Sequence, residues 1–312
     1  MQAVATAALP VFALILTGWL AARGGVLGPA ATDALNRYVV YLSLPALLFR
    51  AMAQADPAQM HWGFAAAFAG GIAVTFAAIA LTRRRYRPLA DLSIEGLAAS
   101  YTNAGYMGIP LCLALLGPAS LAPAVIATLL TACVLFGAAI SLIEFDQHRD
   151  RSLGATLYKV ARALARNPLL IAPLLGLAST LSGVAAPAGL DRYLELLAAS
   201  ASPCALVTIG LFLAQAQPGG AGGGVGRLVA GKLLLQPAVT AILAFFVFPM
   251  PAMWAWCAVL MSALPIGTGP FMLAQLYGRD ARAASRAILL STVLSVPTVS
   301  LLVAWISAHL PS

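Results

Sequence analysis

The residues of this 312-residue chain best placed to do chemistry lie in two apolar runs, 101–110 (YTNAGYMGIP) and 263–270 (ALPIGTGP). Proline lacks an N–H and is favoured at the first position of a helix. Each run is therefore predicted to split a helix, the second half beginning near Pro110 in one and near Pro270 in the other. Gly105 and Gly108, and Gly267 and Gly269, are expected to adopt backbone conformations that other residues resist. Each new helix start presents unpaired N–H groups and about half a positive charge. Two such starts facing each other would attract an anion without a buried arginine or lysine. Asn103 can donate to a carboxylate and also satisfy freed backbone carbonyls. The candidate substrate-binding set is Asn103, Gly105, Gly108, Pro110, Pro265, Gly267, Thr268 and Pro270. Tyr101, Thr102 and Gln275 are weaker members, since hydroxyls and amides in spans often serve helix packing. Gln236, before Pro237, is expected to repair a kink.

Catalytic and metal-binding patterns are missing. The acidic residues Asp33, Asp56, Asp91, Glu95, Glu144, Asp146, Asp150, Asp191, Glu195 and Asp280 all fall in loops or near the ends of apolar segments. No carboxylate pair or histidine cluster occupies the middle of such a segment, which argues against an enzyme and against a deep proton relay. Glu95 is the nearest proton-carrying candidate. Cys112, Cys133, Cys204 and Cys257 lack zinc-ligand spacing and read as packing residues. The run from Gly226 to Gly231 and Lys232 imitates a phosphate-binding loop but continues into Leu233 and opens an apolar segment rather than following a strand, so it is discarded. No cofactor is expected.

These residues must be positioned by membrane helices. The chain is 61% hydrophobic and 9% charged, with mean hydropathy +0.91, far from a soluble domain of this size. Charge-free windows run over 1–22, 62–82, 96–143, 167–190, 196–226, 233–278 and 287–308. One transmembrane helix needs ~20 apolar residues, so 96–143 and 233–278 each hold two. With residues 38–55 this predicts ten spans, near 4–22, 37–55, 62–82, 94–117, 120–143, 167–183, 192–215, 228–248, 252–277 and 283–308. An unwound backbone at membrane depth is tolerated only where protein or a water-lined cavity satisfies it. Paired breaks in two halves therefore point to a transport site.

The net charge of +8 is a topology signal rather than a nucleic-acid footprint. With the N-terminus outside, every lysine and arginine except Arg50 and Arg192 lies on the cytoplasmic side, as the positive-inside rule requires. Both termini are thereby placed outside. No basic residue precedes the first apolar run and Arg23 follows it, the reverse of a signal peptide, so that run is expected to be a retained span.

The hydrophilic segment 144–166 divides the spans five and five. Asp33 precedes Pro45, and Asp191 precedes Pro203, by the same interval, and the breaks fall in the fourth span of each half. Because five is odd, the second half must be inverted relative to the first. The expected organisation is an all-α polytopic membrane protein with ten transmembrane helices in two inverted five-helix repeats, helices 4 and 9 broken and crossing. Residues 1–143 form the first repeat, 144–166 a cytoplasmic linker and 167–312 the second repeat. In the linker Leu153, Leu157, Val160 and Leu164 share one face of an interfacial helix, with Ser152 as its N-cap. The run 218–226 reads as a flexible glycine-rich loop.

The sequence resembles the auxin efflux carrier family of permeases, in its prokaryotic branch. The resemblance is carried by Leu44-Pro45-Ala46, the run from Asn103 to Pro110, Arg166-Asn167-Pro168 and the run from Ala263 to Pro270, and it covers nearly the whole chain. It implies the ten-span inverted repeat and secondary transport of organic anions such as auxin-like acids, malate or malonate. The family's crossover asparagine maps to Asn103 and its crossover prolines to Pro110 and Pro270. The long cytoplasmic loop of plant members is absent here, and the second break offers Thr268 rather than an amide. The expected function is a permease or efflux carrier moving small carboxylates across the bacterial inner membrane by alternating access; the alternative is a sodium-coupled organic-anion symporter of the bile-acid type. Expected partners are the anionic substrate and the lipid bilayer, not nucleic acid, with a homodimer left open.

The orientation is testable. Cysteines introduced at Arg84 and Arg162 should resist impermeant thiol reagents in intact cells, whereas one at Gly117 should react; labelling at Arg162 from outside would overturn the assignment.

Overall fold

The computed structural model describes residues 4–82, 87–147, 154, 158, 161–162, 164–184, 186–215 and 224–309. Over these it is built from helices: α1 (Ala5–Arg23), α2 (29–53), α3 (Trp62–Leu81), α4 (Leu89–Ser100), α5 (Ala104–Leu116), α6 (Pro118–Gln147), α7 (Pro168–Ser182), α8 (Ala188–Gln215), α9 (Val225–Val247), α10 (Ala252–Ser262), α11 (Gly269–Leu276) and α12 (Arg282–His309). Six of these, α1, α3, α6, α8, α9 and α12, are long and apolar enough to cross a bilayer, and α5, α7 and α10 are shorter apolar helices. Of the interfacial face expected in the linker, only Leu164 is among the described residues, and the glycine-rich loop 218–226 lies mostly outside them.

Prolines are absorbed in these helices by a recurring device. Pro10, Pro45, Pro110 and Pro237 each follow a turn of π-helix, at Val4–Ala8, Val39–Ser43, Ala104–Gly108 and Gly231–Leu235. A proline ring inside a helix clashes with the carbonyl one turn back and removes one hydrogen bond. Widening that preceding turn to i→i+5 bonding moves the carbonyl aside, so the helix bulges instead of ending.

Large apolar side chains such as Leu174, Leu175, Phe246 and Leu301 face outward, a surface suited to lipid rather than water. Small residues let backbones touch, which drives helix association where there is no water to expel. A Cβ on Gly18 would sit 2.1 Å from the Val207 carbonyl oxygen, and one on Gly210 would sit 2.0 Å from that of Ile15, so α1 and α8 meet backbone to backbone. Gly176 of α7 does the same against Phe49 of α2, and the Thr180 hydroxyl donates to the carbonyls of Met52 and Ala53. Arg50 clasps Asp191 with two hydrogen bonds of 2.9 and 3.2 Å, tying the end of α2 to the start of α8. A second group forms around α3, whose Phe64 ring meets Trp254 of α10 edge-on and whose Gly71 meets Thr240 of α9. The two interrupted helices run through this second group.

Candidate functional site

Both predicted breaks are present, and they cross. The chain leaves helical geometry after Ser100 and re-enters it at Ala104; it leaves again after Ser262 and re-enters at Gly269. Between these points Thr102 and Ile266 form an isolated antiparallel bridge. The Asn103 N–H donates to the Pro265 carbonyl at 3.0 Å, and the Gly267 N–H donates to the Tyr101 carbonyl at 3.1 Å. The Ile266 N–H is taken by the Ser291 hydroxyl of α12, 3.0 Å away. Each break thus supplies the partners the other lacks, which is the condition for unwound backbone in an apolar interior. Thr102, Leu264 and Ile266 are buried.

Asn103 immediately precedes α5 and is half-buried, and its side chain does not cap the helix. Its carboxamide is free to turn toward a ligand. The first turn of a helix has no carbonyl of its own to bond; here the Ala104 N–H is taken by the Thr102 carbonyl and Pro270 has no N–H, which leaves the N–H groups of Gly105 and Tyr106 on α5 and of Gly269 and Phe271 on α11 as donors beside the crossing. Thr268 precedes α11, half-buried and likewise not capping it. Tyr106, in the first turn of α5, reaches across to α2, its hydroxyl donating to Asn36 Oδ1 at 2.7 Å. Ser43 of α2 and Thr102 carry buried hydroxyls with no partner among the described residues, and Leu44, beside Ser43, packs on Gly105. The crossing therefore faces α2. Gln275 is exposed near the far end of α11 and is not brought to the site.

Several expectations require correction. Pro110 does not begin a helix: α5 starts at Ala104, and the π-turn before Pro110 accommodates the ring. Pro270, by contrast, is in the first turn of α11 as expected. The glycines of the breaks are not there for unusual backbone angles, since Gly105, Gly108, Gly267 and Gly269 are absent from the positive-φ residues. They permit close approach. A Cβ on Gly269 would lie 2.5 Å from Tyr101 Cζ, one on Gly267 would lie 3.0 Å from the same ring, and one on Gly108 would lie 2.5 Å from Met261 Sδ. Gly105 is less tight, with Leu44 Cδ2 at 3.2 Å. Gln236 does not repair the kink at Pro237: it is fully buried, and neither side-chain atom has a partner among the described residues.

A further correction concerns charge. The crossing was expected to lack a buried cation, yet Lys232 lies about two turns inside α9 and is wholly buried. Its Nζ donates to the carbonyl of Ser262, the last residue of α10 before the second break. Counting it with the loop charges concealed it; the helix that buries it already begins at Val225, with Leu228, Val229 and Ala230 between Arg227 and Gly231. Glu95, the nearest proton-carrying candidate, is instead paired with Arg227, which also donates to Thr82. The cysteines behave as packing residues, Cys112 and Cys257 touching at 3.7 Å between α5 and α10. An open apolar groove of about 560 Å³ among Ala241, Phe245, Phe246, Trp256, Val259, Leu302 and Trp305 holds none of the crossing residues.

Comparison with known proteins gives matches over nearly the whole chain and over part of it. A family described as membrane transport protein matches residues 3–303. A Rhizobium meliloti (strain 1021) protein named "Putative malonate transporter" is 31% identical over 296 residues, covering 94% of this chain and 92% of the relative. An Oryza sativa subsp. japonica protein named "Probable auxin efflux carrier component 3b" is 30% identical over 155 residues, covering 47% of this chain and 26% of the relative.

The tight stacking of Tyr101 on the second break generates a stability test. Gly269→Ala should cost about 1–3 kcal/mol, as overpacking usually does, seen as a lower melting temperature in detergent. Tyr101→Leu in the same chain should recover part of it. An unchanged melting temperature for Gly269→Ala would contradict the packing described.

Proposed function

The chain belongs to the membrane transport protein family, that of the auxin efflux carrier permeases, and from this we propose that it is a secondary transporter of small carboxylates working by alternating access. It is a multi-pass membrane protein and a transporter rather than an enzyme. The observation that carries the substrate class is the crossing of 101–103 with 265–267, beside which α5 and α11 both begin. Helix starts offer N–H donors and a positive end to a carboxylate, and Asn103 adds a neutral amide donor. The name of the Rhizobium relative makes malonate the natural first substrate to try.

The same reading takes the architecture as ten spans in two inverted repeats. Besides the six long apolar helices, four further crossings would be α2, α4 with α5, α7, and α10 with α11; the two interrupted pairs reach membrane length only when their halves are added. The first repeat is residues 1–143 and the second 167–312. Both termini then lie outside the cytoplasm, in a bacterial inner membrane, and a homodimer is compatible with the outward apolar surface. Alternating access fits the division into a group of α1, α2, α7 and α8 and a group carrying the breaks, with the site facing α2 between them.

Purified protein in liposomes should exchange labelled malonate for internal malonate in sodium-free buffer, which separates this reading from the sodium-coupled alternative. Asn103→Ala should insert normally and weaken malonate binding by ~1.5–3 kcal/mol, the scale of a charge-assisted hydrogen bond. Absence of exchange for malonate and other small carboxylates would overturn the function, and wild-type binding by Asn103→Ala would make Asn103 structural.

A further inference from the structure

Lys232 is a charge-bearing group that the fold does not pair. An ammonium carries three donors, and the Ser262 carbonyl is the one acceptor formed for it among the described residues. No carboxylate is paired with it there. One turn along α9, Gln236 is fully buried with both side-chain atoms unpartnered, and beyond it Thr240 and the nearby Thr75 of α3 have buried, unpartnered hydroxyls. A buried charge is tolerated when it is compensated and hydrogen-bonded. The carboxyl end of α10, at Ser262, supplies about half a negative charge. The remainder must come from elsewhere, and Ser262 leads directly into the break where Pro265 meets Asn103.

We propose that Lys232 is the proton site of this transporter, so that a carboxylate at the crossing and a proton on Lys232 Nζ bind together and are carried together. The inference rests on reading the crossing as an anion site. In the step, the free amine takes one proton from water on the loading side and becomes an ammonium, no covalent bond to the anion forms, and the proton leaves with the anion on the other side. Each bound charge lowers the cost of burying the other, and the coupling is reciprocal. A monocarboxylate would cross without net charge, whereas a dicarboxylate would carry one negative charge.

Most titratable groups on the surrounding elements are engaged with other partners, Arg286 of α12 being the exception among the described residues. α3 has none. On α4, Asp91 is held by Arg87 and Arg279, and Glu95 by Arg227. Arg227 is the other charged residue of α9. α10 contributes Cys257, in contact with Cys112. α12 contributes Arg282, paired with Asp280, together with Arg286 one turn further on and His309 at the far end of the helix.

The test uses full-length protein in liposomes loaded with a pH-sensitive dye, with membrane potential clamped. Malonate uptake by the wild type should acidify the lumen by one proton per malonate. Malonate affinity should rise as pH falls over the range where malonate stays doubly ionised, by up to about tenfold per pH unit for one linked proton. Lys232→Gln and Lys232→Met should still exchange malonate, with weaker affinity, no accompanying acidification and no pH dependence of binding. Lys232→Arg, permanently charged, should bind malonate independently of pH and move no protons. Net malonate uptake by the wild type with no proton movement would overturn this inference and leave the carboxylate function standing, as would proton movement retained in folded Lys232→Gln. Failure of the wild type to exchange any carboxylate would overturn both. Should both neutral variants fail to fold, the proton-to-malonate ratio and affinity profile of the wild type decide the matter.

Discussion

An N–H or C=O group left without a partner in an apolar interior costs several kcal/mol, and this constraint governs the arrangement of the second helical group. Two helices are interrupted inside it, and each interruption frees several such groups at once. The chain meets the cost by laying one break across the other. The Asn103 N–H finds Pro265, the Gly267 N–H finds Tyr101, and Ser291 takes the Ile266 N–H. The breaks consequently stabilise one another, and neither could be closed without orphaning groups in its partner. Close packing around them follows: the Tyr101 ring lies over Gly267 and Gly269, and Met261 over Gly108, because a backbone pair in the middle of a bundle leaves room for nothing between its strands and their neighbours.

The satisfied part of the crossing has an unsatisfied margin. Backbone pairing consumes the central residues of each break and the Ala104 N–H, but the N–H groups of Gly105, Tyr106, Gly269 and Phe271 are left without a backbone partner among the described residues, and the Asn103 carboxamide is half-buried beside them. That combination, rigid backbone with unspent donors, is what an anion site requires, since donors fixed in place need no reorganisation when the ligand arrives. Lys232 adds a cation at the opposite polarity, capping the carboxyl end of α10. Positive helix starts, a negative helix end and one lysine thus lie around the crossing of the two breaks.

The crossing was legible in the sequence because glycine and proline have few other uses in the middle of a charge-free run. Asn103 stood out for the same reason, as an amide in such a run. The element boundaries were less legible. Pro110 looked like a helix start and proved to be an interior proline, because a π-turn can swallow the ring and local sequence does not announce π-turns; Pro10, Pro45 and Pro237 are handled alike. The glycines were recognised but given the wrong reason, since close approach depends on what lies opposite, here Tyr101 and Met261, residues far away in the chain or on the other break. Lys232 was missed because a charge near the end of an apolar run is ordinarily a loop residue. Its burial depends on α9 beginning at Val225 and on Ser262 coming within reach.

The central claim is that the crossing selects its ligand by negative charge. It is tested most directly by comparing malonate with its neutral diamide in equilibrium binding to purified wild-type protein, at a pH where malonate is fully ionised. The two have nearly the same shape, so an apolar or shape-selective pocket would hold them alike. If two helix starts face the ligand, malonate should bind more tightly by about 1 kcal/mol or more per terminus, roughly thirtyfold in affinity for the pair. Equal affinity for the acid and the amide would contradict the account.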